Sequence, residues 1–357
     1  MYIFINLHYS GVDSSVAALL LQLQGHDVTG ISMRIYSGSP AAGKQVNACY
    51  SPDEEHDIEY ARTVAESLGI AFYDFDLKDA YRSNVIDYVA REYCGGKTPN
   101  PCVRCNQQVK FSALLDKAAE SGIAFDSFAT GHYARVAYAP ETGRYLLQKA
   151  RDSRRDQSYF LCMLSQEQLR RTLFPLGDYT KDMVREIARS HNLISHDRAD
   201  SQDFAAGSYR QFLPGETATG FIKDQNDTIL GTHNGIGEFT IGQRRGLNIA
   251  MGKPFYVTAI DHEHNTVYVG EEDELFKTGL IAADANWISI TSLTAPLAFT
   301  VKVRSAHAGA AAVIQPENGG KVRVTFRKPQ KSLTPGQWAV FYDNDTVVGG
   351  AVIEKTL

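Results

Sequence analysis

The chain has 357 residues, 43% of them apolar and 22% charged, with a formal net charge of -5. That length exceeds one typical core, so two or three domains of ordinary globular polarity are expected, and the acid excess excludes a chain coated in positive charge. No apolar run is long enough to span a bilayer, no cleavable leader is evident, and five unevenly spaced cysteines do not form an extracellular disulfide framework, so the expectation is a cytoplasmic protein with no membrane partner.

Tyr2 to Leu7 reads as a buried strand, broken at Tyr9-Ser10-Gly11-Val12-Asp13-Ser14-Ser15, with a helix from Val16 to Gln24 ending near Gly25. Strand, small-residue turn and helix aim backbone N–H groups at an anion. Val28 to Ile35 is a second strand, Pro52 to Leu68 an amphipathic helix ended by Gly69, and Ala71 to Leu77 a third strand. A fourth, Phe125 to Thr130, runs into Gly131-His132-Tyr133. Alternating strands and helices predict an α/β domain, a parallel sheet doubly wound by helices. Ligands then sit beyond the carboxyl ends of the strands, where the turn at Ser10 to Ser15, Met33 and Gly131 converge.

Between the third and fourth strands lies Thr98-Pro99-Asn100-Pro101-Cys102-Val103-Arg104-Cys105-Asn106, ahead of a helical run from Gln107 to Glu120. The two prolines stiffen the approach. A cysteine at a helix mouth, with Arg104 beside it, is expected to favour its thiolate. The structural alternative is half of a zinc site, which lacks a second close pair of cysteines. Cys162 and Cys94 read as packing residues, and His132 alone would read as a satisfied histidine at a strand end.

Gln166 to Asn192 is helical in pattern, in two basic amphipathic stretches around Phe174-Pro175-Leu176-Gly177-Asp178. From about Gln211 short strands take over: Phe255 to Ile260, Thr266 to Val269, Phe299 to Val303, Lys321 to Phe326 and Trp338 to Phe341, with Ala306 to Ala312 as a bend. The expected division is 1–210, a small β-rich domain 211–276, and a six-stranded or similar β-barrel 277–357. Basic residues cluster at Arg151, Arg154 and Arg155, at Arg244 and Arg245, and at Arg327, Lys328 and Lys331, all beside turns.

The turn at Ser10 to Ser14 resembles the pyrophosphate loop of the ATP-pyrophosphatase superfamily. Thr98-Pro99-Asn100-Pro101 with Cys105-Asn106 and Lys110-Phe111, Ala129-Thr130-Gly131-His132-Tyr133, Asp156-Gln157-Ser158-Tyr159-Phe160-Leu161, Gly242-Gln243-Arg244-Arg245-Gly246-Leu247 and Thr334-Pro335-Gly336-Gln337 follow in order. Together they resemble the bacterial tRNA-specific 2-thiouridylase family over nearly the whole chain. The resemblance implies an ATP-dependent sulfurtransferase that adenylates O2 of the wobble uridine and replaces it with sulfur. It implies that Ser10, Gly11, Val12, Asp13, Ser14, Met33 and Gly131 bind ATP with Mg2+, that Asn100, Pro101 and Cys102 face the base, and that Cys105 is catalytic, with Cys102 and Asp13 in support. It further implies that His132, Arg155, Asp156, Gln157, Arg304, Ser305 and Gln337 touch tRNA, and that a sulfur donor or relay protein linked to a cysteine desulfurase, or free sulfide, supplies sulfur.

The chain departs from that pattern twice. Its loop reads Tyr9-Ser10-Gly11 where Ser-Gly-Gly is expected, and Asp200-Ser201-Gln202-Asp203-Phe204-Ala205 stands where Asp-Ser-x-x-x-Cys is expected. The usual second cysteine is therefore absent. One expectation that follows is a [4Fe-4S] cluster on Cys49, Cys102 and Cys105; the other is a Cys102–Cys105 persulfide and disulfide cycle with Cys49 merely buried. A tRNA-binding paralogue without catalysis is the alternative function.

Overall fold

The structure, a computed structural model, describes residues 1–7, 11–38, 48–195, 203–205, 209–213, 218–249 and 252–357. Tyr9 and Ser10 of the expected phosphate loop, and Asp200 to Gln202, lie outside the described residues. The chain forms two compact units: Met1–Asn84, Cys102–Ser208 and Asp345–Val347 in the first, and Val85–Pro101, Tyr209–Asn344 and Val348–Leu357 in the second. Among the described residues no helix is long and apolar enough to cross a membrane.

The first unit is built on a five-stranded sheet in the order Ala71–Asp76, Asp27–Arg34, Tyr2–Asn6, Ser127–Ala129, Thr172–Leu173. Every pairing in it is parallel. Ile3, Phe4 and Ile5 fill the central strand and are buried on both faces, as parallel strands under helices must be. The helix Val12–Leu23 turns Val16, Ala17, Leu20 and Leu21 onto that sheet, where the helix Lys181–Ser190 adds Val184 and Ala188. The second helix, Glu54–Leu68, stops at Gly69, whose positive φ of 66° closes it.

Strand order reverses on either side of Tyr2–Asn6, with Asp27–Arg34 to one side and Ser127–Ala129 to the other. That switch point opens a crevice at the carboxyl ends of the strands. The doubly wound sheet expected from the sequence is thus present. Its last strand falls inside the stretch from Gln166 to Asn192 that reads as helical in the sequence: Thr172–Leu173, just ahead of the expected break at Phe174, separates the helices Gln166–Arg170 and Lys181–Ser190.

The second unit contains a four-stranded sheet, Ile229–His233, Gly220–Lys223, Thr266–Gly270, Tyr256–Asp261, around Ile222, Val257, Val267 and Val269. It also contains a closed six-stranded barrel in the order Phe276–Trp287, Lys321–Lys331, Ala310–Glu317, Leu297–Lys302, Trp338–Asp343, Thr346–Thr356, the last pairing back to the first. Leu280, Val301, Ile314, Val324, Phe341 and Ile353 alternate into its core. Part of the expected bend at Ala306 to Ala312 is strand, because Ala312 and Ile314 face the core while Ala311 and Val313 face out.

Candidate functional site

The first group of expected site residues sits at the start of the helix Val12–Leu23. Gly11 is its N-cap and offers no side-chain cap, so the first-turn amides point toward the carboxyl end of the sheet. Ser14 and Ser15 turn their hydroxyls back onto the Gly11 carbonyl, at 3.3 and 3.1 Å. Asp13 is held from two sides: Lys181 Nζ lies 2.8 Å from each carboxylate oxygen, and Tyr133 donates its hydroxyl to Oδ1 at 2.7 Å. The Lys181 side chain is only 4% exposed. Gly131 packs against this turn so closely that a Cβ there would sit 2.8 Å from the Ser14 nitrogen. Met33, at the end of its strand, is fully buried.

The sulfur end is one helical run. The helix begins at Pro101, six residues earlier than the sequence pattern suggested, and Asn106–Ala113 forms a widened π-turn before the run continues to Glu120. Proline suits the first helical position, and so both cysteines are taken into the helix. In a π-turn residues five apart come toward one side, which carries Lys110 over Cys105. Gln168 Nε2 donates to the Gln107 and Phe111 carbonyls at 3.0 Å each, and buried Asn106 donates to the Phe160 carbonyl at 3.0 Å. These bonds hold the irregular turn.

The expected thiolate at Cys105 is corrected by this geometry. Cys105 lies a turn inside the helix and is 9% exposed. Burial pushes its thiol up to about 11, against a smaller opposing pull from Lys110 and with a further push from Cys49. Lys110 is itself raised: burial would lower it, but Cys105, Cys49 and Cys102 together outweigh that. Cys102 and Cys49 are half-exposed. Tyr81, fully buried, feels burial first and then the charges of Cys105, Cys49, Cys102 and Tyr50. The charges of all three thiols thus act on both Tyr81 and Lys110. Among the described residues, no three His, Cys, Asp or Glu side chains are gathered as a metal-holding group.

His132 accepts or donates through Nδ1 to Thr130 Oγ1 at 2.8 Å and lies against Phe111 and Phe174. Burial, and then the Lys110 charge, depress it to about 3, so it is neutral at working pH. Asp156 accepts from the amides of Ala150 and Ser158 and from the Ser158 hydroxyl. Gln157 accepts from the Tyr133 amide at 2.9 Å, while Arg155 is exposed. The loop between Lys149 and Ser158 is thus built on Asp156 and Gln157, and it presents arginines outward.

In the second unit, Gln337 Nε2 donates to the Thr98 and Pro99 carbonyls at 2.9 and 3.2 Å, and the Thr98 amide donates to the Pro335 carbonyl at 2.8 Å. The segment leading to Asn100 and Pro101 is pinned by the Thr334-Pro335-Gly336-Gln337 turn. Arg304 donates to the Lys331 carbonyl at 3.3 Å, and Ser305 beside it is exposed. Cys162 is a fully buried thiol with burial pushing it well up, as expected of core, but Cys94 is exposed at a helix end and does not pack.

Sequence reasoning missed Lys181 and the pair Tyr50 and Tyr81. Lys181 had one available signal, Thr180 as an N-cap fixing it at the first position of a helix. The stack of Tyr50 on Tyr81, 5.7 Å between ring centres at 7°, joins residues too far apart in sequence for any pattern to connect.

Three family models match the chain: the tRNA methyl transferase HUP domain over residues 2–205, the tRNA methyl transferase PRC-barrel domain over 211–271, and the aminomethyltransferase β-barrel domain over 277–353. Proteins called tRNA-specific 2-thiouridylase MnmA are similar to it along nearly their whole length. The one from Clostridium perfringens is 43% identical, covering 97% of this chain and 97% of the relative. That from Acetivibrio thermocellus is 44% identical, covering 96% and 97%, and that from Desulforamulus reducens is 43% identical, covering 97% and 95%.

Proposed function

The chain belongs to the family of tRNA-specific 2-thiouridylases, and on that footing we propose how its own residues carry the reaction. It is an ATP-dependent tRNA sulfurtransferase that makes 2-thiouridine. The nucleotide phosphates lie at the start of the helix Val12–Leu23, held by the uncapped amides after Gly11 and by Ser14, with Gly131 giving them room. Bound with the nucleotide, Mg2+ would supply positive charge to the phosphates. Both Asp13 oxygens already accept from Lys181, so Asp13 meets that ion only by exchange with the ammonium.

Uridine O2 is a poor leaving group, and adenylation makes it leave as AMP while a sulfur nucleophile attacks C2. The base must be splayed from its stack to reach such a pocket. Asn100, Pro101 and Cys102 receive it, and Cys105 carries the sulfur, its thiol brought toward ionisation by Lys110. Neutral His132 is a hydrogen-bonding partner for RNA rather than a charge. Arg155, Arg304 and Ser305 meet phosphates; Asp156 and Gln157 act by holding the loop that presents Arg155, and Gln337 by holding the segment that leads to Asn100 and Pro101. Sulfur comes from a persulfide relay that begins at a cysteine desulfurase, or from sulfide, in the cytoplasm.

The observation that carries this reading is the helical run from Pro101 that takes in Cys102 and Cys105, with Lys110 five residues on in the π-turn. A [4Fe-4S] cluster on Cys49, Cys102 and Cys105 is the second reading, favoured by the spacing of Cys102 and Cys105 on one helix but not by the arrangement of ligands among the described residues. Anaerobic reconstitution with iron and sulfide tests it through the visible absorption of the product. The function itself is tested by mass spectrometry of tRNA nucleosides from a strain lacking the gene. Loss of 2-thiouridine derivatives, restored by the intact gene but not by Cys105→Ser, is the expected result; unchanged 2-thiouridine would refute it.

A further inference from the structure

The residue at which the resemblance places a second cysteine is Ala205, and the structure shows what stands beside it. The strand Ala48–Tyr50 pairs in parallel with Asp203–Ala205, Ala48 opposite Asp203 and Tyr50 opposite Ala205. Paired residues in a parallel ribbon share a face and successive residues alternate, so Ala205 lies with Tyr50 and Cys49 lies on the other face. Ala205 and Tyr50 are 4% and 8% exposed, whereas Cys49 is half-exposed. A thiol at 205 would be shut in. The open thiol of the ribbon is Cys49.

The ribbon is tied to the sulfur end through Tyr50, which stacks on Tyr81, whose helix Lys78–Tyr81 packs against the π-turn that follows Cys105. That π-turn continues the helix that carries Cys105, and Lys110 stands on it five residues further along. Thiol–disulfide exchange needs a thiolate, and Lys110 is a cation on the same helical run as Cys105.

We propose that Cys49 is the resolving thiol of sulfur transfer, attacking Cys105 to free the thiolated base. This rests on the thiolation reading above. A persulfide donor first places a sulfane sulfur on Cys105. The terminal sulfur attacks C2 of the adenylated uridine; the C2–S bond forms, the C2–O bond breaks and AMP leaves. The base is then joined to Cys105 through an S–S bond. The Cys49 thiolate attacks Cys105 Sγ, the electron pair of that S–S bond passes to the sulfur on C2, and 2-thiouridine departs. The sulfane sulfur has been reduced by two electrons and the two thiols oxidised to a Cys49–Cys105 disulfide. A dithiol reductant returns both to thiols with two electrons and two protons.

The test uses the full-length protein, tRNA lacking the 2-thio group, ATP and a persulfide donor, without added reductant. Cys49→Ser is expected to accumulate a covalent tRNA–protein adduct on non-reducing gels, and dithiothreitol is expected to release 2-thiouridine from it. The wild-type protein is expected to yield a Cys49–Cys105 linked peptide in non-reducing mass spectrometry, a readout that does not depend on how the variant folds. Adduct accumulation in Cys102→Ser instead, a Cys102–Cys105 linked peptide, or undiminished turnover by Cys49→Ser would overturn the proposal. Release of AMP by the wild-type protein with tRNA is scored separately: if it fails, the thiolation reading fails, and if it succeeds while the Cys49 results do not appear, only this inference falls.

Discussion

Lys181 and Asp13 show how a single pair with a buried ammonium fixes the first turn of the helix Val12–Leu23. Lys181→Met would leave the Asp13 carboxylate facing an apolar neighbour, and roughly 3 kcal/mol of stability should be lost in urea unfolding. Tyr133→Phe removes one hydroxyl from the same carboxylate and should cost about 1.5 kcal/mol. His132 titrates in the folded protein near 3, below its ordinary 6.5. Between those values the unfolded chain binds a proton that the folded one refuses, so stability is present above about 6.5 and falls as pH drops toward 3. His132→Gln removes that cost and should move the acid unfolding midpoint to lower pH; an unmoved midpoint would mean the histidine is already protonated when folded. Lys110→Met should raise the Cys105 thiol further above about 11, read as a later rise with pH in alkylation of the Cys105 peptide. Some of this was legible in the sequence, since Asp13, His132, Lys110 and Cys105 stand in recognisable motifs. Their ionisation was not, because the order of residues says nothing of burial: a helix mouth suggested a low thiol pKa, and the observed depth reverses it.

At the scale of elements, tight approach of backbone decides what can be substituted. Gly336 has φ of 90°, and a Cβ there would lie 2.9 Å from both the nitrogen and the oxygen of Thr98. Gly336→Ala should cost at least about 2 kcal/mol and weaken tRNA binding by displacing Thr98 and Pro99; Gln337→Ala, which frees the same two carbonyls, should raise KM for tRNA with a smaller loss of stability. If Gln337→Ala lowers stability as much as Gly336→Ala while KM is unchanged, Gln337 serves the fold alone. The strands of the parallel sheet could be read from the sequence because each is a short apolar run buried on both sides. The barrel was only partly readable. Thr346–Thr356 is interrupted by Gly349 and Gly350, which no strand pattern favours, yet Gly349 is needed because a Cβ would come 2.3 Å from the Asn286 carbonyl across the ladder. Ala310–Glu317 hid for a similar reason, its small residues resembling a bend. The π-turn at Asn106–Ala113 has no sequence signature, and it is what gathers Lys110 with Cys105.

For the molecule as a whole, the two units are interleaved along the chain, since Val85–Pro101 belongs with the later residues although it precedes Cys102. Tyr93 stacks on Tyr209 at 4.1 Å, and Thr98 bonds to the turn at Pro335. A fragment ending at 208 should therefore be cut by protease within 85–101, where the intact chain resists; equal resistance would mean that this segment folds without its later partners. The family places the chain among ATP-dependent tRNA sulfurtransferases. The most direct measurement is a count of products from purified protein, unmodified tRNA, ATP and a persulfide donor with a dithiol reductant. One AMP and one pyrophosphate for each 2-thiouridine is the result this account expects, and ADP with phosphate, or AMP released without any 2-thiouridine, would contradict it.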